Sequence, residues 1–393
     1  MLTAQTENGR MISLLDDRDK LLLQKLTQTE PLYCPVCKEV VLIKKGNKRI
    51  WHFAHISKQK CVGELENESD YHLKGKINLY HWFKNQGIPA ELELYIPKIK
   101  QRPDLYVHIN GQGYAIEFQC STIDSSILTK RTNSYLQEKI KPIWILGGNR
   151  LKKISQYVVK LSPLDLLMTY YNNESGIQLI YYCPSTNRFC ITSSLTPFTA
   201  TTYLSNSSMF LTNEIQFSQL ISLKENNQFF DFETWITMKK RWRTKNFMFT
   251  QDFFKRWFYG KGIALNLLPG VAGIPTKSMI WINTEAILWQ GWILQDFIFP
   301  LKEGEVVAFH DIYQAFKTEV QRGNFKLRQL PSLMNSHYSF AIMEFLQKLV
   351  HLGILRRLRD PVHFQKLKNP VFPKNIEEAC LQDREVLKRS VIS

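Results

Sequence analysis

Arg102-Pro103-Asp104-Leu105-Tyr106-Val107-His108-Ile109-Asn110-Gly111-Gln112-Gly113-Tyr114-Ala115-Ile116-Glu117-Phe118-Gln119 is the stretch on which the reading of this chain turns. Two runs of extended-chain residues flank Asn110-Gly111, a dipeptide that tolerates the paired positive φ angles of a type I′ turn, so the stretch predicts a β-hairpin with a two-residue loop. That loop pairs Ile109 with Gln112, and stepping outward along both strands pairs Asp104 with Glu117; a four-residue loop would shift the register. The two carboxylates are then expected to face each other on one side of the sheet, with Gln119 pointing the same way. Leu105, Val107, Ile116, Phe118 and Cys120 fall on the opposite, core-facing side. Like charges directly opposite each other destabilise a hairpin unless a cation lies between them, and hard oxygen ligands suit Mg²⁺ or Mn²⁺.

Outward from the hairpin, a helix is expected over 66–85, stopped by Gly87 and Pro89. Strands follow at 90–96, 103–109 and 113–120, then a helix at 124–139 and a strand at 142–146, which makes the order αβββαβ. Upstream, 1–30 reads as a hairpin around Asn8-Gly9 and a helix near 16–28. Between them and the core, Cys34-Pro35-Val36-Cys37 has the spacing that lets two thiolates on one knuckle reach the same ion at about 2.3 Å. His52, His55 and Cys61 raise the candidate zinc ligands to five for four tetrahedral positions. Strand alternation puts His52 and His55 on opposite faces, so Cys34, Cys37, His55 and Cys61 are the expected set, with His52 as substitute. No position looks open to water, and the expected role of zinc is structural.

Pro103-Asp104 and Glu117-x-Gln119 within αβββαβ resemble the PD-(D/E)xK restriction-endonuclease-like superfamily. Tyr33-Cys34-Pro35-Val36-Cys37, His52-Phe53-Ala54-His55, the helix start from Glu68 to Lys76, Arg102-Pro103-Asp104 and Glu117-Phe118-Gln119 together are similar to the competence protein CoiA family. The resemblance covers residues 1–150 well and the remainder loosely. It implies a DNA-processing protein of competence that acts on transforming, single-stranded DNA before or during recombination. Asp104 and Glu117 would hold catalytic Mg²⁺ or Mn²⁺, polarising the phosphate and activating a water. Gln119 stands where the superfamily usually has Lys, which removes a cation and leaves a non-cleaving DNA-binding or recombination adaptor as the alternative. Glu68, with Glu66 as rival, would complete the metal shell, and His72, Lys76, Arg102, Lys130 and Arg131 would meet the DNA backbone.

The formal charge of +16 favours polyanions such as DNA, RNA or acidic membrane. Between Trp235 and Gly262 eight cations, among them Lys239, Lys240, Arg241 and Arg243, alternate with Trp242, Phe247, Phe249, Trp257 and Tyr259. That text suits single-stranded DNA, and equally an amphipathic helix that turns its rings inward. The expected division is a zinc-ribbon-like module at 1–63, a nuclease-like domain at 64–160 and a mainly helical, basic C-terminal domain at 161–393. Residues 1–20 are interrupted by Glu7, Arg10, Asp16, Asp17, Arg18 and Asp19 and do not read as a secretion signal, so the chain is expected to be cytoplasmic. The apolar stretch 279–300 holds Glu285, Gln290, Gln295 and Asp296, too polar for a membrane span. Recombination or DNA-uptake proteins are the further partners the resemblance implies.

Overall fold

The computed structural model describes the chain apart from residues 17, 18, 20, 22, 24–29, 47–48, 57–60, 62–68, 173–175, 223–229, 332–336 and 392–393. The helix expected near 16–28 and the start of the one expected from 66 therefore lie largely outside the described residues. Two compact units are present: the first holds Met1–Lys152, Leu164–Ser193 and Ser207–Glu225, and the second holds Lys153–Pro163, Ser194–Asn206 and Asn226–Ser393.

In the first unit β1 (Thr3–Gln5), β2 (Met11–Ser13), β3 (Leu32–Tyr33), β4 (Val40–Lys44) and β5 (His52–His55) form one sheet in the order β2-β1-β3-β4-β5. The Asn8-Gly9 turn joins β1 to β2, with Gly9 at φ +83°. Met1, Leu2, Ala4, Ile12, Val41 and Phe53 fill the core of this module.

The αβββαβ order is present as α1 (Asp70–Asn85), β6 (Ala90–Leu92), β7 (Leu105–Ile109), β8 (Gln112–Gln119), α2 (Ser125–Gln137) and β9 (Lys141–Gly147). Ser69 caps α1, its hydroxyl accepting the His72 N–H, and Gly87 follows its end at φ +70°. β6 is shorter than expected because Glu93 turns to φ +52° and breaks the extended run. β7 pairs with β8 from Ile109–Gln112 to Leu105–Ile116, and Asn110 and Gly111 have φ of +49° and +80°, the two-residue turn that the dipeptide predicts. β8 and β9 run parallel. Leu105, Val107, Ile116 and Phe118 pack with Leu79, Trp82 and Phe83 of α1, while Ala115 packs with Tyr135 of α2 on the other face.

After β10 (Lys152–Ser155), β11 (Val158–Lys160) and β12 (Tyr170–Asn172), β13 (Gly176–Cys183) lies parallel to β9, and β14 (Arg188–Pro197) antiparallel to β13. β15 (Thr202–Leu211) completes this run of strands. The region beyond 160, expected to be mainly helical, thus opens with strands, and the first unit reaches Glu225 where a boundary near 160 was expected. Strand periods in β13 and β14 are masked because both faces are buried, leaving no polar alternation to read.

The second unit is the helical part: α3 (Phe232–Thr244), α4 (Asp252–Gly260), α5 (Ala286–Ile293), α6 (Phe309–Gln321), α7 (Tyr338–His351) and α8 (Ile376–Val391), with a small sheet of β16 (Val306–Ala308), β17 (Leu355–Arg357) and β18 (His363–Lys366). Trp235, Trp242, Trp289, Trp292, Phe316 and Phe345 share its core. α5, from the apolar stretch 279–300, is buried on every side, and Gln290 within it accepts the Gly273 and Ile274 N–H groups and donates to the Ile274 carbonyl, each at 2.8 Å. Among the described residues no helix is long and apolar enough to cross a membrane.

Candidate carboxylate site and metal cluster

Asp104 stands one residue before β7, at the register step beyond Leu105–Ile116, and Glu117 lies on β8 opposite that step. The pairing brings the two acids to neighbouring positions, but their side chains engage different helices. Asp104 turns toward α1: its Oδ2 accepts the Phe118 backbone N–H at 2.9 Å and lies 3.2 Å from His72 Nε2, while Oδ1 lies 3.3 Å from Lys76 Nζ. Glu117 turns toward α2, where Arg131 forms an ion pair with it and the Tyr135 hydroxyl donates to Oε1 at 2.6 Å. The two acids thus stand opposite in register as expected, near enough for the Asp104 charge to act on Glu117, while each carboxylate is engaged by residues of its own helix. Preceding the strand, Asp104 is free of the alternation that holds Glu117 to the α2 face.

Burial raises the Asp104 carboxyl, but the Lys76 ammonium, the His72 ring and the Phe118 N–H outweigh it and hold Asp104 well below the usual carboxylate range. Glu117 moves the other way: burial lifts it more than the Arg131 guanidinium lowers it, and the charge on Asp104 adds to the rise. Gln119, largely buried, donates from Nε2 to the Ser121 carbonyl at 3.2 Å. Glu68 and Glu66 lie outside the described residues.

Several expected phosphate contacts are differently employed. Lys76 is only 1% exposed and pairs with Glu93 as well as Asp104, so it cannot meet a DNA backbone. Arg131 is the partner of Glu117, and His72 the neighbour of Asp104. Arg102 is half-buried, while Lys130 projects into solvent. Two further residues of this network are Glu93 and Tyr135. Tyr135 follows Arg131 by one helical turn, a spacing that puts both on one stripe facing β8. Glu93 left no trace in the sequence, because its partners come from distant segments.

In the N-terminal module Cys34, Cys37, His55 and Cys61 bring their ligand atoms within 4.8 Å of one another, a cluster that could hold a metal ion such as zinc. Lys38, at φ +63°, closes the knuckle, its N–H donating to the Cys34 carbonyl at 3.0 Å. Cys34 Sγ and Cys61 Sγ are 3.8 Å apart, and Cys37 Sγ lies 3.2 Å from His55 Nε2. Two thiolates bound about 2.3 Å from one tetrahedral ion would be about 3.8 Å apart, so the donor set and its spacing fit. Burial pushes the Cys34 and Cys37 thiols up, a shift that a bound dication reverses by holding the thiolates. His52 is not in the cluster: its Nδ1 lies 2.9 Å from the Ile50 carbonyl. As β5 alternates, His55 faces the knuckle and His52 the other side.

The basic stretch divides in the same way. Lys239 donates to the Gly270 and Ala272 carbonyls and pairs with Asp383 at 2.7 Å. Arg243, fully buried, grips both oxygens of Asp383 and donates to the Asn266 and Leu268 carbonyls. Both were expected to bind nucleic acid and instead form an internal anchor between α3 and α8. Lys240 and Arg241 remain exposed beside Lys245, with Met248, Phe249 (84% exposed) and Tyr259 nearby in sequence.

Comparison with known proteins agrees with this division of the chain. Family models described as competence protein CoiA match in three parts: the N-terminal domain over residues 15–64, the nuclease-like domain over 68–225 and the C-terminal domain over 230–380. Competence protein CoiA of Bacillus subtilis (strain 168) is 29% identical over 347 residues, covering 86% of this chain and 91% of that protein. No solved structure matches at a significant level. The metal-ligand cluster falls in the first of these parts, the carboxylate pair in the second, and Lys239 and Arg243 of the buried anchor in the third, and the chain belongs to the competence protein CoiA family.

Proposed function

We propose that this chain processes DNA in competence, its nuclease-like domain hydrolysing phosphodiester bonds of transforming, single-stranded DNA before or during recombination. The observation that carries the reading is the carboxylate pair: Asp104 and Glu117 stand opposite each other in register, and their environments drive their acidities in opposite directions. The element order αβββαβ supports a restriction-endonuclease-like core of the PD-(D/E)xK type. Hard oxygen donors from Asp104 and Glu117 suit Mg²⁺ or Mn²⁺, which when bound would supply a Lewis acid for the phosphate and a more acidic water. The chain's own residues do the rest. Lys76 and His72 keep Asp104 ionised, Tyr135 and Arg131 orient Glu117, and Gln119 offers an amide to position water. Zinc at Cys34, Cys37, His55 and Cys61 is the structural metal of this reading, and Lys240 and Arg241 are cations left for the DNA backbone.

A second reading, a DNA-binding or recombination adaptor without cleavage, is favoured by a specific observation. Both acids already have cationic partners within the chain, and Gln119 supplies no cation of its own. Divalent-dependent cleavage of single- and double-stranded DNA, with binding measured alongside, separates the two. The hydrolase reading expects cleavage by the wild type and its loss in Asp104→Ala and Glu117→Ala with binding retained; binding without cleavage in all three overturns it in favour of the adaptor.

A further inference from the structure

Glu93 is a buried acid that the carboxylate chemistry leaves unused. It is 1% exposed and holds φ +52°, a left-handed conformation that strains a side-chain-bearing residue and persists only where the surroundings impose it. Those surroundings are identifiable. Its own N–H donates to the Asp104 carbonyl at 3.1 Å. Its carboxylate accepts the Leu2 N–H at 3.0 Å, the Thr3 N–H at 3.1 Å and the Thr3 hydroxyl at 2.9 Å, and pairs with Lys76. On their other side residues 1–3 meet the metal-ligand module: the Met1 carbonyl accepts the Phe53 N–H at 2.8 Å, and Met1 Sδ lies 4.0 Å from Cys34 Sγ.

The contacts therefore run without a break from Cys34 through residues 1–3, Glu93 and Lys76 to Asp104. One ammonium serves two carboxylates. If residues 1–3 withdraw, Glu93 loses three donors, and a buried carboxylate short of donors draws harder on the cation it shares. Lys76 then leaves Asp104 for Glu93, and the hydrogen bond from the Phe118 N–H to Asp104 loses the geometry that Lys76 helps to impose.

We propose that Glu93 is a positioning residue through which occupancy of the Cys34–Cys37–His55–Cys61 cluster by a metal ion governs the hydrogen bonding of Asp104. The proposal deepens the reading of Asp104 as a working acid and rests on it for its functional meaning, but its test reads the hydrogen bonds themselves. Amide hydrogen exchange is followed on the zinc-loaded full chain with and without chelator. In the wild type, chelation is expected to speed exchange at 1–5 and 52–55, and also, by about tenfold or more, in the 112–119 segment that carries the Phe118 N–H. Glu93→Gln and Lys76→Met are expected to keep the first effect and lose the second. Thr3→Val, which deletes one peripheral donor, is expected to weaken the transmission and serves if the buried variants do not fold. Wild-type 112–119 indifferent to chelation, or a response unaltered in the variants that fold, overturns the proposal. DNA cleavage assayed on the chelator-free proteins with added Mg²⁺ keeps the two ideas apart: transmission without any cleavage overturns the hydrolase reading and supports the link.

Discussion

Asp104 and Glu117 stand opposite each other in register, yet the chain gives them opposite acid–base behaviour, and stability should record it. Asp104 ionises in the folded state below its unfolded value of about 3.9, so its contribution is fully present above about pH 4 and is lost as the pH falls toward the folded value. Glu117 is raised, so its effect has the reverse sign: it favours the fold at low pH and fades as the pH climbs through its elevated value. Denaturant unfolding at stepped pH should therefore show a flatter acid limb below about pH 4 in Asp104→Asn than in the wild type, and an acid limb of undiminished steepness in Glu117→Gln. An Asp104→Asn limb as steep as the wild type's would mean that the surroundings of Asp104 do not lower its pKa.

At the scale of elements, close approach of α1 to the sheet depends on Gly75, where a Cβ would come within 1.9 Å of the Phe118 ring. Alanine would gain helix propensity of about 1 kcal/mol but collide with a ring that cannot swing away. Gly75→Ala is expected to lower stability by about 1–3 kcal/mol net, measured by denaturant titration. α3 makes the complementary point. Its inward face carries Lys239 and Arg243 to Asp383, and its outward face carries Lys240 and Arg241. Arg243→Ala should destabilise by about 3–5 kcal/mol, because Asp383 keeps a buried charge with one cation fewer. Lys240→Ala with Arg241→Ala should leave stability within about 0.5 kcal/mol of the wild type. If both cations contact single-stranded DNA, that pair should flatten the salt dependence of binding by about 1.4 in log–log slope. An unchanged slope removes them from the interface.

For the whole molecule, a net charge of +16 sets the sign of the partner but not the place where it binds, since two of the eight cations in the basic stretch are spent inside the second unit. Metal is the other molecule-wide dependence. Purified protein should carry about one zinc per chain at the cluster, Cys61→Ser should lose it, and His52→Ala should retain it, as read by metal analysis. Sequence alone determined the αβββαβ order, the Asn110-Gly111 register and the four clustered ligands, because turn chemistry, strand alternation and ligand spacing act over a few residues and need no distant partner. Tertiary structure alone decided that Lys76 serves Glu93 and Asp104, that Arg131 serves Glu117, and that Lys239 and Arg243 lie buried against Asp383. A cation reads the same in sequence whether it meets water, a phosphate or a carboxylate 140 residues away, and only the packed chain selects among them, since burial makes an unpaired charge too costly to keep.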